Sequence, residues 1–373
     1  MKSPTSFLKR SFAPHLLILP LICAGLLWPN LASAAPSTQA EQRRLTSGGQ
    51  VREYLFQPAP NKQRNSPLVI VLHGGEMNAD IAKDREYGGL WSDRAAKNGF
   101  ALAFPQGKLN DGSDRKHNWN DCRAVSVRQG DGGLHADEPS YSTWNDVQFI
   151  RDMIAEVQQR DGIDPSRIYA VGGSNGGMMT FRLAAEAGDL FAGFAPLIAA
   201  DVALSECQEP SVQRPIIFTY GTADTLMPPA GGCIADRDKT CSKGAAKSAL
   251  ATIQHWANFL QARPGKEVAI ADINTKDESQ QFQRDFTNAN QQVMLRVVRI
   301  ENGGHSEPSD RQSRLLSRIP GFRANADRPA VDYISEFFGL TAATTTTAPS
   351  TDDPAAGADS SNEPRRRLFR HRQ

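Results

Sequence analysis

The chain has 373 residues, 39% of them hydrophobic and 22% charged, with a formal net charge of +1. This is ordinary globular composition, enough for one large domain or two small ones. The near-neutral balance argues against nucleic acid or an acidic polymer as partner.

The first segment does not read as part of a fold. Lys2, Lys9 and Arg10 make a basic start, Leu16 to Leu27 is apolar, and Ala32-Ser33-Ala34 is a small-x-small cleavage site. That pattern predicts a signal peptide over residues 1–34. The apolar run is short for a membrane span, so no integral membrane segment is expected after cleavage. Ile22 stands before Cys23 where lipidation would want a small residue. The expected location is secreted or periplasmic. Cleavage leaves 39 basic and 41 acidic side chains, a formal charge of −2, and four cysteines. An even count in an exported chain predicts two disulfides. Three pairings are possible. Cys233–Cys241 is favoured as a short local loop, with Cys122–Cys207 as the long-range bridge. No CxxC pair is present to suggest zinc.

In chain order, Leu68-Val69-Ile70-Val71-Leu72 reads as a buried parallel strand closed by His73-Gly74-Gly75. A helix is predicted over Trp91 to Asn98, and a strand over Phe100 to Phe104. Pro105 to Thr143 lacks periodicity, and such long loops in compact domains often carry function. Asp146 to Gln159 has one apolar helical face. A strand from Arg167 to Val171 precedes a helix from Gly177 to Ala187. A strand over Pro215 to Tyr220, a helix over Ala246 to Leu260, a strand over Val293 to Ile300 and a helix over Ala330 to Phe338 follow. Strand alternating with helix predicts an α/β fold with a mostly parallel sheet covered on both faces, and reactive residues on loops at strand carboxyl ends. From Thr341 the composition turns to Thr, Ser, Pro and Ala and ends in an arginine cluster. Residues 341–373 read as a disordered tail, which leaves 35–340 as the folded domain.

Gly172-Gly173-Ser174-Asn175-Gly176 matches G-x-S-x-G between a strand and a helix, the context a nucleophile elbow requires. A serine nucleophile needs a base, and the base an orienting acid. Three histidines follow Ser174. His255 lies in a helical pattern and His371 in the tail. His305 sits in a glycine-bearing loop after a strand and is the expected base. Asp224, after the strand ending at Tyr220, is the expected acid, with Asp201 as the alternative. The oxyanion donors are expected to be the Asn175 amide and that of Gly75 or Glu76 in His73-Gly74-Gly75-Glu76. His73 itself reads as structural. Trp119, Tyr141 and Trp144 are candidates for an aromatic cleft, with structural packing as the competing role.

The segments VLHGG, NDVQFIRDMI, IDPSRIYAVGGSNGGMM, YGTADTLMPP and NGGHSEPS resemble, in that order, the secreted α/β-hydrolases grouped as polyhydroxybutyrate depolymerases, feruloyl esterases and acetylxylan esterases. The similarity spans roughly residues 50 to 340. It implies an α/β-hydrolase fold, catalytic roles for Ser174, Asp224 and His305, an ester substrate, and no metal or organic cofactor. The sequence departs from the family pattern after the histidine. Ser306-Glu307-Pro308-Ser309 stands where members often have tryptophan and glycine around the proline. That loop borders the pocket, so Glu307 joins the candidate substrate-binding residues. No added substrate-binding domain is expected after residue 340. A peptidase of the prolyl-oligopeptidase type and a non-catalytic binding protein on a hydrolase fold are the competing readings.

Overall fold

The computed structural model describes residues 39–108, 117–123, 144–205, 207–235, 241, 243–311, 319 and 321–341. The leader over 1–34, Tyr141 and the tail beyond Thr341 lie outside the described residues.

Twelve strands and six α-helices are present among the described residues. The chain opens with the antiparallel hairpin β1 (Glu41–Ser47) and β2 (Gln50–Gln57). Then come β3 (Leu68–Leu72), α1 (Ala79–Asp84), α2 (Leu90–Asn98) and β4 (Ala101–Pro105). The middle is α3 (Asp146–Asp161), β5 (Ile168–Gly173), α4 (Asn175–Glu186), β6 (Gly193–Leu197) and β7 (Ile216–Gly221). The short pair β8 (Gly232–Cys233) and β9 (Ala245–Ala246) precedes α5 (Ala249–Phe259). Then β10 (Arg263–Ala269), β11 (Gln280–Thr287), β12 (Val293–Glu301) and α6 (Ala330–Phe337) complete the fold.

Ten strands form one sheet in the order β1-β2-β4-β3-β5-β6-β7-β12-β11-β10. The six from β4 to β12 pair in parallel, and both edges are antiparallel. Helices cover both faces, which explains the uninterrupted apolar strands. In β3, Leu68, Ile70 and Leu72 pack with α3, α4 and α5 on one face, while Val69 and Val71 pack with α1, α2 and α6 on the other. A parallel strand buried on both faces needs apolar residues at every position.

The predicted central strands and helices are all present, with shifted ends. Helix α4 starts at Asn175, two residues earlier than expected, because the chain turns from β5 into it at Ser174 without an intervening loop. The edge strands β1 and β10 carry no apolar run. Their residues are mostly exposed, and β10 contains Pro264 and Gly265, residues that edges tolerate. Both expected cystine pairs form, Cys122–Cys207 and Cys233–Cys241, with Cα–Cα distances of 5.5 and 4.8 Å.

Candidate active site

Ser174 sits at the turn between β5 and α4 with φ 55° and ψ −119°, a conformation that costs an L-residue strain. Its N–H donates to the Leu197 carbonyl at 3.0 Å, and its carbonyl accepts from Met178 N–H at 2.9 Å. The flanking glycines are a matter of space. A Cβ at Gly172 would lie 2.3 Å from the Gly176 oxygen, and one at Gly176 would lie 2.5 Å from the Leu72 oxygen. The turn can hold the serine hydroxyl above the sheet because both positions lack a side chain.

His305 meets that hydroxyl. Its Nε2 is 2.8 Å from Ser174 Oγ, and its Nδ1 is 2.7 Å from Asp224 Oδ2. The other oxygen of Asp224 accepts the N–H groups of Leu226 and Met227, each at 2.8 Å. The carboxylate is thereby aimed at the imidazole. Burial pulls the His305 pKa down, but the charge of Asp224, its hydrogen bond and the charge of Glu307 outweigh that and raise it above its ordinary 6.5. With Nδ1–H donated to Asp224, Nε2 is free to accept the serine proton. Asp201, the alternative acid, is turned elsewhere. It accepts from the Trp256 indole at 3.0 Å and lies near Lys247 and His255.

The neighbouring loop supplies backbone donors. Gly75 and Asn175 lie side by side: a Cβ on Gly75 would be 3.4 Å from the Asn175 Cβ. Neither N–H has a hydrogen-bond partner among the described residues. Glu76 differs from expectation. Its backbone turns at φ 63°, and its N–H goes to the His117 carbonyl at 2.9 Å and to Asn118 Oδ1 at 3.2 Å. That amide is therefore withdrawn from the site, and Gly75 is left as the loop's donor. His73 is structural, as expected. It donates from Nδ1 to the Gly74 carbonyl and accepts the Gly107 N–H at Nε2, and burial lowers its pKa to about 3.

Part of the long loop returns beneath the site. The Asn175 side chain accepts Trp119 N–H at 2.8 Å and donates to the Trp119 carbonyl and, at 2.6 Å, to Asp121. Asp121 is in turn gripped by the buried Arg123, whose guanidinium also donates to the Lys243 carbonyl at 2.9 Å. Asn118, Asp121 and Arg123 carried no sequence signal, since each works through a partner remote in the chain.

The serine opens into a cavity of about 720 Å³. Met77, Ile81, Ile198, Leu226, Met227 and Phe322 give it apolar walls, and Glu307 also lines it. The Cys233–Cys241 loop contributes Ile234 and Ala235 to one side. The two candidate tryptophans do not line it. Trp119 is fully buried, packs against His73 and donates its indole N–H to the His73 carbonyl at 2.8 Å. Trp144 stands at the start of α3, with the Lys108 ammonium 5.3 Å from its ring centre. Trp119 is thus a packing residue of the loop that braces Asn175, and the Trp144 carbonyl accepts Asn120 Nδ2 at 3.0 Å.

A parallel-centred sheet with helices on both faces, carrying Ser174, Asp224 and His305 on loops after β5, β7 and β12, defines an α/β-hydrolase. A family model described as the prolyl oligopeptidase family matches residues 143–204, from α3 through the serine turn to the loop after β6. The esterase-assigned protein NocK of Nocardia uniformis subsp. tsuyamanensis is 29% identical over 279 residues, which cover 71% of this chain and 73% of that one. Poly(3-hydroxyalkanoate) depolymerase C of Paucimonas lemoignei is 31% identical over 133 residues, 36% of this chain and 28% of that one. The chain thus spans most of the first relative and only about a quarter of the second. The solved acetyl xylan esterase of Aspergillus awamori superposes with a TM-score of 0.52 at 13% identity, over 81% of this chain and 100% of that one, a likeness of fold. The chain has the α/β-hydrolase fold and is similar in sequence to proteins named as esterases, among them polyhydroxybutyrate depolymerases, feruloyl esterases and an acetylxylan esterase, which supports a carboxylic ester hydrolase.

Proposed function

We propose that this protein is an exported serine esterase in which Ser174 is the nucleophile, His305 the general base and acid, and Asp224 the orienting acid. The unbroken hydrogen-bond chain from Asp224 through His305 to Ser174, ending at a largely apolar cavity, carries the reading. Ser174 Oγ bonds to the ester carbonyl carbon as its proton passes to His305 Nε2. The tetrahedral oxyanion is held by the Gly75 and Asn175 N–H groups. Collapse breaks the bond to the alkoxide, which takes the proton from His305. Water, deprotonated by the same imidazole, then attacks the acyl-enzyme. The acid leaves and Ser174 is restored.

The substrates that fit are hydroxybutyrate oligomers, or feruloyl and acetyl esters of plant polysaccharide. The apolar walls suit a short acyl chain or an aryl group, and the relatives' names point to the same compounds. Export rests on the pattern of residues 1–34 and on the two disulfides, which persist in oxidising compartments. Residues 35–340 then form the catalytic domain, and 341–373 a Thr/Ser/Pro-rich tail with a basic end. A panel of methyl ferulate, acetylated xylan, hydroxybutyrate oligomers and p-nitrophenyl butyrate tests the reading. Turnover of at least one ester that disappears in Ser174→Ala is expected. Undiminished turnover in that variant sinks the assignment.

The match to the prolyl oligopeptidase model favours one second reading, a serine peptidase. Peptide amides assayed in parallel decide between the two. Faster cleavage of the amide than of the matched ester would establish the peptidase.

A further inference from the structure

Gly173 is the open position of the G-x-S-x-G pattern, and the elbow itself asks nothing of it. Two carboxyl groups explain it. A Cβ at Gly173 would lie 2.0 Å from Glu307 Oε1 and 3.2 Å from Glu86 Oε1, so both side chains reach the same spot beside the nucleophile. Glu86 is 9% exposed and Glu307 7%. Both border the cavity that contains Ser174. Neither forms an ion pair with lysine or arginine among the described residues. Two buried, adjacent and uncompensated carboxylates repel one another and have lost their hydration, so such a pair retains a proton.

The pair spans the site. Glu86 accepts the Gly74 N–H at 3.0 and 3.2 Å, next to the donor at Gly75. Glu307 lies two residues past His305. The loops that carry them follow β3 and β12, which β5, β6 and β7 separate in the sheet. On the triad reading above, we propose that Glu86 and Glu307 are positioning residues, a carboxyl pair holding one proton between them that fixes the histidine loop against the oxyanion loop across Gly173.

Burial raises both groups, Glu86 well above the usual carboxylate range with the charge of Glu307 as a further cause. The other groups facing the pair are His305 and Asp224 of the triad and Tyr333 of α6, with Arg328 beyond it. The Tyr333 phenol is raised by burial and stays neutral. Arg85 neighbours Glu86 in the chain and is exposed. Loss of the shared proton at alkaline pH places two charges between the loops and drives them apart.

The test is the pH–rate profile on p-nitrophenyl butyrate for wild type, Glu307→Gln, Glu86→Gln and Glu307→Ala. Glu307→Ala lowers kcat at least about tenfold while KM changes less than about threefold, the mark of lost alignment. Glu307→Gln recovers most of kcat, because its amide donates to Glu86 without a proton to lose, and its alkaline decline moves up by about one pH unit or more. Glu86→Gln behaves likewise. Superimposable wild-type and Glu307→Gln profiles overturn the pair, as does a Glu307→Ala effect confined to KM. If Glu307→Ala gives no cooperative melt, the glutamine profiles decide alone. A wild-type protein that neither hydrolyses the ester nor is labelled by a fluorophosphonate overturns the triad reading and this proposal with it. Active, labelled wild type beside unaffected variants overturns this proposal only.

Discussion

His305 and Asp224 stand 81 residues apart in the chain, yet Nδ1 of one lies 2.7 Å from Oδ2 of the other. The carboxylate is held from its far side by two backbone N–H groups, so its orientation does not depend on the histidine. Asp224→Asn keeps an acceptor for those N–H groups but can turn its NH₂ toward the ring, which favours the wrong tautomer. A fall in kcat of about 10³- to 10⁴-fold is expected, with little change in melting temperature. Steady-state kinetics on p-nitrophenyl butyrate with a thermal melt would check this. A loss below tenfold would remove Asp224 from the catalytic chain.

The raised pKa of His305 sets the acid side of the pH profile. The base works only when neutral, so kcat/KM should fall as pH drops through a midpoint above the ordinary 6.5. Asp224→Asn removes the largest raising cause, and the midpoint should move down. Stability follows the linkage rule with its sign. A histidine whose folded pKa is raised adds stability that is fully present below the unfolded value and is lost as pH rises through the folded one. Wild type should therefore exceed Asp224→Asn in melting temperature by more at about pH 5 than at about pH 9. An equal or inverted difference would contradict the assigned shift.

Asn175 serves the site with its backbone and the fold with its side chain. Asn175→Ala removes hydrogen bonds to Trp119 and Asp121 and leaves a buried Trp119 N–H unpaired. A loss of about 2–4 kcal/mol in unfolding free energy is expected. Activity should drop as well, because the loop braced against the elbow relaxes. Trp119→Phe loses the indole bond to His73 and should lower stability with KM for short esters nearly unchanged. Urea unfolding and Michaelis kinetics on both variants give the answer. A raised KM in Trp119→Phe at unaltered stability would return that residue to the cleft.

The two cystines have different work. Cys122–Cys207 joins residues separated by 85 positions, and Cys233–Cys241 by 8. Loop-closure entropy assigns about 4.6 kcal/mol to the first and about 2.5 kcal/mol to the second. Replacing Cys122 and Cys207 by alanine should lower the melting temperature more. Replacing Cys233 and Cys241 should instead raise KM, since that loop carries Ile234 and Ala235 of the cavity wall. Melting curves and KM values of the two double variants would reveal a reversed order.

The three hydrogen-bonded residues of the site were legible because each marks a local event. Ser174 and Asp224 follow strands buried almost throughout, which favours apolar residues on both faces, and His305 follows the apolar-rich β12, in which Arg296 and Arg299 take partly exposed positions. The edge strands β1 and β10 were not legible, since half-solvated edges leave no such run. The tryptophans misled for a related reason. Trp119 stands in an aperiodic loop, and aperiodicity does not tell whether the ring faces a cleft or the core.

By itself the sequence determined the central strands and helices and the turn at Ser174, and it named His305 and Asp224 as candidates, because patterns of burial and steric demand are written within a few residues. Only the tertiary structure decided which amide of the glycine loop is free. The Glu76 N–H is claimed by His117 and Asn118, more than forty positions away. It also decided that Trp119 is a buttress, and that Glu86 and Glu307 converge over Gly173. Each of these rests on contacts between residues distant in the chain, whose meeting is fixed by how the strands are ordered in the sheet.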